Sequence, residues 1–376
     1  MLQHQALLLS PRAAKPSVIA VAVACGWLLA GCADTGAAAG SAPSLPSPPA
    51  AAGGKVFAPY QDMSLTAISA GVTQNNLPAI AGASGILNFS MAFITSAGNG
   101  CTPEWGGVGP IANDATFGGY ISQLRALGGD VIISFGGEAA DNTAADGGGP
   151  DYDLAWNGGC TSVVLLEAAY QSVIDRYSRD AASPVAVDFD VEGDALASPM
   201  VNGISTIDLR NQALAALAVA NPGLQISYTI PASENGLQAP ELAVLQSALK
   251  YGVPLSLVNV MLMDFGAPIA AGQYGGIVTS AAATSMSQLR SMGINAALGI
   301  TVLIGTNDES DETFLLSDAQ TVAAYARSEP NIARLSFWEV ARDNGSCGAA
   351  PADLDDDNCS SVSQADWAFA RIFETF

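Results

Sequence analysis

The 376-residue sequence predicts an α/β fold, a (β/α)8 TIM barrel in a single domain over residues 55–376. Eight strand-like segments alternate with helix-like segments from Lys55 onward, and such an alternation is typical of parallel βαβ units. The strand-like segments are apolar over most of their length, as strands buried on both sides are. A doubly wound open sheet is the alternative, and it is less favoured because no dinucleotide-type βαβ half stands out.

The strand candidates are short apolar runs separated by segments with helical periodicity. They cover residues 56–60, 87–95, 130–135, 185–192, 224–230, 257–264, 297–304 and 333–340. Helical periodicity is clearest over 163–180 and 209–220. A further helix is expected to begin at Ser317, with Gln320 placed for a capping box. The last helix carries one apolar stripe, formed by Phe369, Ile372, Phe373 and Phe376.

Residues 1–31 are typical of an export signal. Arg12 and Lys15 precede any acidic residue, and the apolar run that follows them is shorter than the roughly 20 residues of a membrane-spanning helix. This run ends in Leu-Ala-Gly-Cys, which resembles a bacterial lipobox, so Cys32 would become the lipid-modified first residue of the mature protein. The alternative is an ordinary secretory signal that is cleaved nearby. We therefore expect an exported protein, either a cell-envelope lipoprotein that contacts the membrane only through its lipid anchor or a secreted protein.

Residues 32–54 consist mainly of Ala, Gly, Ser and Pro, cannot form a core and are typical of a flexible linker. Four cysteines follow in the predicted domain. An even number of cysteines in an exported chain indicates two disulfides, although four cysteines allow three connectivities. We predict the pair Cys101–Cys160, which joins two stretches that contain Gly and Trp, and the pair Cys347–Cys359, which closes a short acidic loop.

The charge and residue content of the chain exclude several classes of function. With 13 Lys and Arg against 35 Asp and Glu, the chain is a poor candidate for binding nucleic acid or anionic membranes, so a neutral or cationic ligand is expected. The only histidine, His4, lies in the predicted signal, so the mature protein would lack Ser-His-Asp and Cys-His machinery and histidine-ligated zinc. No P-loop and no G-x-G-x-x-G after a strand is present. Proton transfer near neutral pH is then left mainly to carboxylates with shifted pKa, and no cofactor or metal is expected.

Three carboxylates, Asp188, Asp190 and Glu192, occupy alternate positions of the fourth predicted strand, VAVDFDVEGD. Period two places them on one face, and in a barrel they would approach the C-terminal mouth, where active sites lie. Three acids spaced by about 6–7 Å cannot all ionise cheaply, so they should hold a proton and raise the pKa of at least one. The alternatives are a structural cluster satisfied by backbone or Arg groups and a calcium loop. The calcium loop is disfavoured because its twelfth position is Pro199.

Several segments together resemble bacterial chitinases of glycoside hydrolase family 18, which implies a TIM barrel. The three acids are spaced as in the strand-four motif of that family, and SFGG at 134–137 looks like its Ser-x-Gly-Gly motif at the end of strand three. VMLMDFG at 260–266 looks like the strand-six Met-x-x-Asp segment, and SFWEVARDN at 336–344 like the strand-eight segment whose Trp lies under the sugar. FAPYQDM, CTPEWGG and GTNDESDETF are similar to a bacterial subgroup. Four motifs in the right order on the right strands, along the whole domain, make a strong signal.

The resemblance implies a substrate-assisted hydrolysis of N-acetylglucosamine polymers, an exception to the two-carboxylate scheme of most glycosidases. Glu192 would be the general acid, Asp190 would orient the 2-acetamido group and stabilise the positive charge, and Asp188 would tune Asp190 through a shared proton. Trp338 would stack under the distorted sugar, although a barrel-filling aromatic is the alternative. Asp264 would form a hydrogen bond near the acetamide or Glu192.

The sequence also departs from the family pattern. The first Asp and the following Gly of the strand-four motif fall at Val185 and Ala186, and the strand-six Tyr that contacts the acetamide falls at Met263. Tyr228 or Tyr60 is a candidate to replace that Tyr. The remaining predicted substrate-binding residues are Trp105, Ser134, Gly136 and Gly137.

Three interpretations of function remain open. The first is a hydrolase that acts on a polysaccharide substrate, chitin or N-acetylglucosamine oligomers. The second is a barrel that only binds such polymers, but relatives of that kind typically lose the acid at the position of Glu192. The third is an endo-acting N-acetylglucosaminidase that trims N-glycans by the same chemistry. In each case we expect a monomer.

Overall fold

The computed structural model describes residues 54–65, 68–69, 72–73, 75–98, 100–106, 108–138, 151–157, 159–308, 311–347 and 358–376. The predicted signal peptide over residues 1–31, the predicted lipid-modified Cys32 and all but the last residue of the predicted linker lie outside the described residues.

In the described part of the chain, nine mainly apolar strands form a parallel sheet at the centre of the domain. They are β1 (Val56–Phe57), β2 (Tyr60–Asp62), β3 (Asn88–Ala97), β4 (Asp130–Gly136), β5 (Ala186–Asp190), β6 (Ile226–Pro231), β7 (Leu255–Met261), β8 (Ala297–Leu303) and β9 (Ile332–Trp338). Each of the eight predicted strands corresponds to a strand of this sheet, and the first is divided into β1 and β2. The division falls at Pro59, which has no N–H to donate to a neighbouring strand.

The first segment links the two edges of the sheet. Neighbouring strands follow the order β1-β9-β8-β7-β6-β5-β4-β3, and β2 pairs with β3. Val56 is in register with Arg334 of β9, whereas Tyr60 is in register with Ser90 of β3. One stretch of seven residues, 56–62, therefore pairs with β9 through its first part and with β3 through its last part, as the predicted TIM barrel requires.

Eight helices are described, and most follow a strand of the sheet. They are α1 (Leu77–Ser84), α2 (Phe117–Ala126), α3 (Val163–Tyr177), α4 (Thr206–Ala220), α5 (Ala239–Tyr251), α6 (Tyr274–Ser291), α7 (Leu316–Ser328) and α8 (Ala368–Phe373). The residue predicted to form the capping box at the start of α7 was wrong. The Asp318 carboxylate, not Gln320, accepts the Leu315 backbone N–H at 3.0 Å, because the helix begins at Leu316 and Asp318 occupies its third position.

Shorter elements occupy the connections. The short strands are Ile68–Ser69, Val72–Thr73, Pro103–Trp105, Gly109–Pro110, Asp151–Tyr152, Met200–Val201, Ile204–Ser205, Gly305–Thr306 and Thr313–Phe314. The 3-10 turns are Ile111–Asn113, Gly193–Ala197 and Val340–Arg342. Among the residues that the structure describes, no helix is both long and apolar enough to span a bilayer.

The outward faces of the strands and the inward faces of the helices form the core. On β5, Phe189 stacks on Phe135 with ring centroids 5.0 Å apart and meets the edge of Tyr170 of α3 at 4.9 Å. Asp188 and Asp190 alternate with Phe189 and are buried on the opposite face of the strand. The period-two pattern of the sequence therefore separates an apolar face that packs on the helices from a polar face inside the sheet.

Both predicted disulfides are present. Cys101 is bonded to Cys160 with Cα atoms 4.6 Å apart, and Cys347 is bonded to Cys359 with Cα atoms 6.0 Å apart. The first ties the segment after β3 to the segment before α3, and the second closes a short loop after β9.

Candidate active site

Asp188 lies at the centre of the polar face and is completely buried. Its carboxylate accepts hydrogen bonds from five side chains: Tyr60, Ser134, Ser227, Thr229 and Arg334. The Arg334 guanidinium also forms an ion pair with it, with Nη1 3.3 Å from Oδ1. Five donors, one of which is the Arg334 cation, satisfy a buried carboxylate well, so Asp188 fits the structural-cluster interpretation of the acids.

Asp190 is in a different state, although it stands only two residues further along β5. It is 4% exposed, and burial is the main reason why its pKa lies well above the usual range. The charges of Glu192 and Asp188 and a hydrogen bond with Glu192 raise the pKa of Asp190 further. The prediction that the pKa of at least one of the three acids is raised is therefore confirmed in direction, and Glu192 is the hydrogen-bond partner that contributes to it.

The proton that we predict Asp188 and Asp190 to share stays a prediction. The hydrogen bond that affects Asp190 comes from Glu192, whereas Asp188 raises the pKa of Asp190 through its charge. The physical reason is that donors from other strands already occupy Asp188.

One oxygen of Asp190 is available to a ligand. Its Oδ1 is buried and has no hydrogen-bond partner among the described residues. Leaving a buried polar atom unsatisfied costs about 1–3 kcal/mol. A ligand N–H placed beside Oδ1 would remove this cost.

The two glycines of the SFGG motif allow close packing around Asp190. A Cβ atom on Gly136 would lie 2.2 Å from the backbone oxygen of Asp190, and a Cβ atom on Gly137 would lie 2.4 Å from the ring of Phe93. Ser134 of the same motif donates to Asp188 at 3.0 Å. The structure thus brings the motif to the acids, where it acts through backbone space and through a hydrogen bond to Asp188.

An aromatic group lies beside the acids at the C-terminal ends of the strands. Trp338, the last residue of β9, stacks on Phe93 with ring centroids 5.7 Å apart and planes 11° from parallel. Tyr60 contacts both rings at 5.9 Å and donates its hydroxyl to Asp188. Burial and the charge of Asp188 raise the pKa of Tyr60, which keeps it a donor. Trp338 and Phe93 are only partly buried, so the face of Trp338 that does not stack on Phe93 can contact a sugar ring.

Met263 and Asp264 follow the end of β7 at the same end of the sheet. Asp264 has a positive φ of 49°, and its carboxylate accepts the backbone N–H of Asp308 at 2.9 Å. Buried Glu312 holds the next residues, because its carboxylate accepts backbone N–H groups from Phe265 and Gly266 at 3.1 and 2.7 Å. The segments after β7 and β8 are therefore tied together around Asp264.

Two predicted substrate contacts were wrong. Tyr228 lies between inward-facing Ser227 and Thr229 on β6, so it points outward, and its hydroxyl donates to Asn211 of α4 at 2.7 Å. Trp105 is buried under helices, and its Nε1 donates to the hydroxyl of Tyr177 at 2.7 Å. Both side chains belong to the core between sheet and helices.

Sequence reasoning missed several residues of the polar face. Asn259 donates to Thr229 and Thr301 at 3.0 and 2.6 Å, and Arg334 binds Asp188 from the last strand. These polar residues interrupt apolar strands at alternate positions, which is the same signal that identified the acids. Phe93 gave no comparable signal, because an aromatic residue in a strand is typical of a core. Among the described residues, no cluster of three His, Cys, Asp or Glu side chains is arranged to hold a metal ion.

Comparison with known proteins gives relatives over most of the chain. The probable bifunctional chitinase/lysozyme of Escherichia coli K12 is 32% identical over 307 residues, or 77% of this chain. Endochitinase 11 of Metarhizium anisopliae is 31% identical over 308 residues, also 77% of this chain. The chain spans 31% and 52% of the lengths of these two relatives. No protein-family model matches the chain.

A solved structure supports the same relationship. Catalytic-site mutants of active domain 2 of the thermostable chitinase from Pyrococcus furiosus, complexed with chito-oligosaccharides, superpose with a TM-score of 0.65 and 26% identity. The alignment covers 85% of this chain and 93% of that chain. The resemblance to chitinases and the (β/α)8 fold are therefore confirmed.

Proposed function

We propose that this chain, a homologue of chitinases, hydrolyses β-1,4-linked N-acetylglucosamine polymers by substrate-assisted retaining catalysis with Glu192 as general acid. The single observation that carries the proposal is the state of Asp190. It is a buried carboxyl that forms a hydrogen bond with Glu192, has a raised pKa and has an oxygen without a partner among the described residues.

The acetamido group of the substrate fits this state. Its N–H can donate to Asp190 Oδ1, which satisfies the buried oxygen and favours the ionised form of Asp190. The proton that the pair holds then resides on Glu192, which becomes the acid that catalysis needs. Binding of the correct sugar thus prepares the acid before any bond breaks.

The bond changes follow from these positions. The acetamide carbonyl oxygen attacks C1, the bond from C1 to the glycosidic oxygen breaks, and Glu192 gives its proton to that oxygen. Ionised Asp190 stabilises the positive charge of the oxazolinium ion. Water then attacks C1, the bond from C1 to the acetamide oxygen breaks and restores the acetamide, and the Glu192 carboxylate accepts a proton from the water, so two inversions retain the β configuration.

Ring contacts would hold the sugar in place. Trp338, supported from behind by Phe93, would stack under the distorted ring, and Asp264 and Met263 would lie beside the acetamide. Asp188, Ser134, Gly136 and Gly137 would keep Asp190 and its surroundings fixed.

Partly deacetylated chitosan tests the mechanism, because a deacetylated sugar has no carbonyl oxygen that can attack C1. We expect cleavage only where the sugar that contributes C1 carries an N-acetyl group, so new reducing ends should be N-acetylglucosamine, with the β-anomer first by NMR. Products that end mainly in glucosamine, or an initial α-anomer, would show that a protein group attacks and that our roles for Asp190 and Glu192 are wrong. Binding without cleavage would favour the polymer-binding interpretation, and cleavage of N-glycans alone the glycan-trimming one.

A further inference from the structure

A cavity of about 610 Å³ opens at the N-terminal ends of the strands, the opposite end of the sheet from Glu192. First residues of six strands line it: Val56, Asn88, Asp130, Ala186, Leu255 and Ala297. The mechanism above does not use this cavity.

The wall of the cavity is basic, in contrast to the chain as a whole. Four of the 13 Lys and Arg residues line it, namely Arg125, Arg179, Arg290 and Arg334, whereas Asp130 is the one acidic residue among the described residues of its wall. Arg125 and Arg179 share Asp130, at 2.8 and 3.0 Å. The cations therefore exceed the nearby acid, and a local positive field in a chain of net charge −22 indicates an anionic ligand.

A second observation points to a ligand. Arg334 is 6% exposed, and its Nε has no hydrogen-bond partner among the described residues. Its Nη1 is occupied by Asp188 and Ser227 at 3.3 and 3.2 Å. A buried guanidinium N–H without an acceptor is costly, and an anion in the cavity would supply one.

Gly54 lies in the wall of the cavity, and the sequence of the predicted linker that ends there contains a single acidic residue, Asp34. We propose that the cavity binds a small free anion, a carboxylate or a phosphate, through Arg334 and the exposed Arg290. Neutral donors of the wall, Gln225, Asn295 and Asn331, complete its polar contacts.

Anion binding in the cavity would affect the proposed catalytic acids through one side chain, Arg334. An anion bound to Arg334 competes with Asp188 for the same guanidinium. It therefore weakens the ion pair between Arg334 and Asp188, the acid that precedes Asp190 on the inner face of β5. This step rests on the proposed function. Because the sugar binds at the other end of the sheet, the bound anion lowers kcat and leaves KM unchanged.

Titration calorimetry of the full mature chain tests the site without reference to hydrolysis. Inorganic phosphate and citrate are titrated separately, with ionic strength held constant by sodium chloride. We expect saturable one-to-one binding of at least one anion, weakened about tenfold by Arg290→Gln. Arg371→Gln removes an equal exposed charge outside the cavity and should bind as the wild type does. Binding of phosphate but not citrate would indicate a phosphate ligand, and binding of citrate but not phosphate would indicate a carboxylate ligand.

Two results overturn the proposal: no saturable binding of either anion, or equal affinity in Arg290→Gln and the wild type. Hydrolysis of N-acetylglucosamine oligomers then tests the connection. The bound anion should lower kcat in the wild type, whereas Arg290→Gln should keep wild-type kcat and lose the effect at the same anion concentration. Binding without any change in kcat would refute the connection through Arg334 but not the site. Absence of hydrolysis in every variant would refute the proposed function and leave the binding result valid.

Discussion

Three acids at identical spacing on one strand are in different environments. Asp188 accepts hydrogen bonds from five side chains, Asp190 is buried with an oxygen that lacks a partner among the described residues, and Glu192 is only partly buried at the end of the strand. The sequence predicts their shared face, because the period of a strand is local. It could not predict which acid would be neutralised, because the donors to Asp188 come from four other strands.

Replacement of the proposed acid separates catalysis from binding. Glu192→Gln keeps the shape of the side chain but removes the acid, so hydrolysis of N-acetylglucosamine oligomers should fall by at least about 100-fold while their binding persists. Initial rates and calorimetric titration measure the two effects. Asp194→Asn, an exposed acid two residues further along, is the matched control and should keep its activity. Near-wild-type turnover of Glu192→Gln would remove Glu192 from its role.

Asp190 should stabilise the fold less at high pH than at low pH. Its pKa is raised in the folded chain by burial and by the charges of Glu192 and Asp188, so folding takes up a proton between the unfolded and the folded pKa. The free energy of unfolding then falls as pH rises through that interval. Asp190→Asn should lose most activity, gain stability at pH 8 and show a weaker loss of stability from pH 4.5 to pH 8. Denaturant unfolding at several pH values measures this, and an unchanged pH dependence would contradict the raised pKa.

At the scale of elements, the sequence predicts the strands well and the orientation of aromatic side chains poorly. Apolar runs identify buried parallel strands because both faces of such strands avoid water. Tyr228 was misassigned although strand alternation with Ser227 and Thr229 places it outside. The sequence around Trp105 does not indicate that its side chain is buried in the core, because that position depends on the distant Tyr177 of α3. The close approach of Gly137 to the Phe93 ring could not be predicted from the sequence either, because it joins segments of β4 and β3 that are distant in sequence.

Gly137→Ala tests whether the turn after β4 positions the aromatic group. Gly137 has φ of 80°, and its added Cβ would press on Phe93, which supports Trp338. Gly223→Ala is the matched control, because Gly223 has φ of 90° and open space around the added atom. Both variants should lose roughly 1–2 kcal/mol of stability from backbone strain. Only Gly137→Ala should also raise KM for N-acetylglucosamine oligomers, by several-fold, and an equal KM in the two variants would contradict the role of Phe93.

The whole domain is polarised along the axis of the sheet. Arg334 extends from the basic cavity at one end, Asp188 binds it in the middle, and the Asp190–Glu192 pair lies toward the other end. On the side of the cavity, the charge of Asp188 is therefore paired with Arg334. On the side where the proposed substrate would bind, one oxygen of Asp190 has no partner among the described residues. Composition alone predicted an acidic molecule with a neutral or cationic ligand, but it could not predict a local basic cavity. That cavity depends on which few cations the fold brings together.

At the same scale, we propose that the mature protein is a lipoprotein anchored through Cys32, which lies outside the described residues. A lipobox enzyme acts on the cysteine at the end of the Leu-Ala-Gly-Cys stretch, because its thiol receives the lipid before cleavage. In a bacterial host that processes lipoproteins, the wild type should incorporate labelled palmitate and sediment with membranes. Cys32→Ala should lose the label and remain unprocessed or be released. Cys25→Ala changes the other cysteine of the same apolar run and should keep the label, since only the cysteine at the cleavage site is modified. A soluble wild-type protein with another N-terminus and no acyl chain, found by mass spectrometry, would show instead that the segment is an ordinary secretory signal.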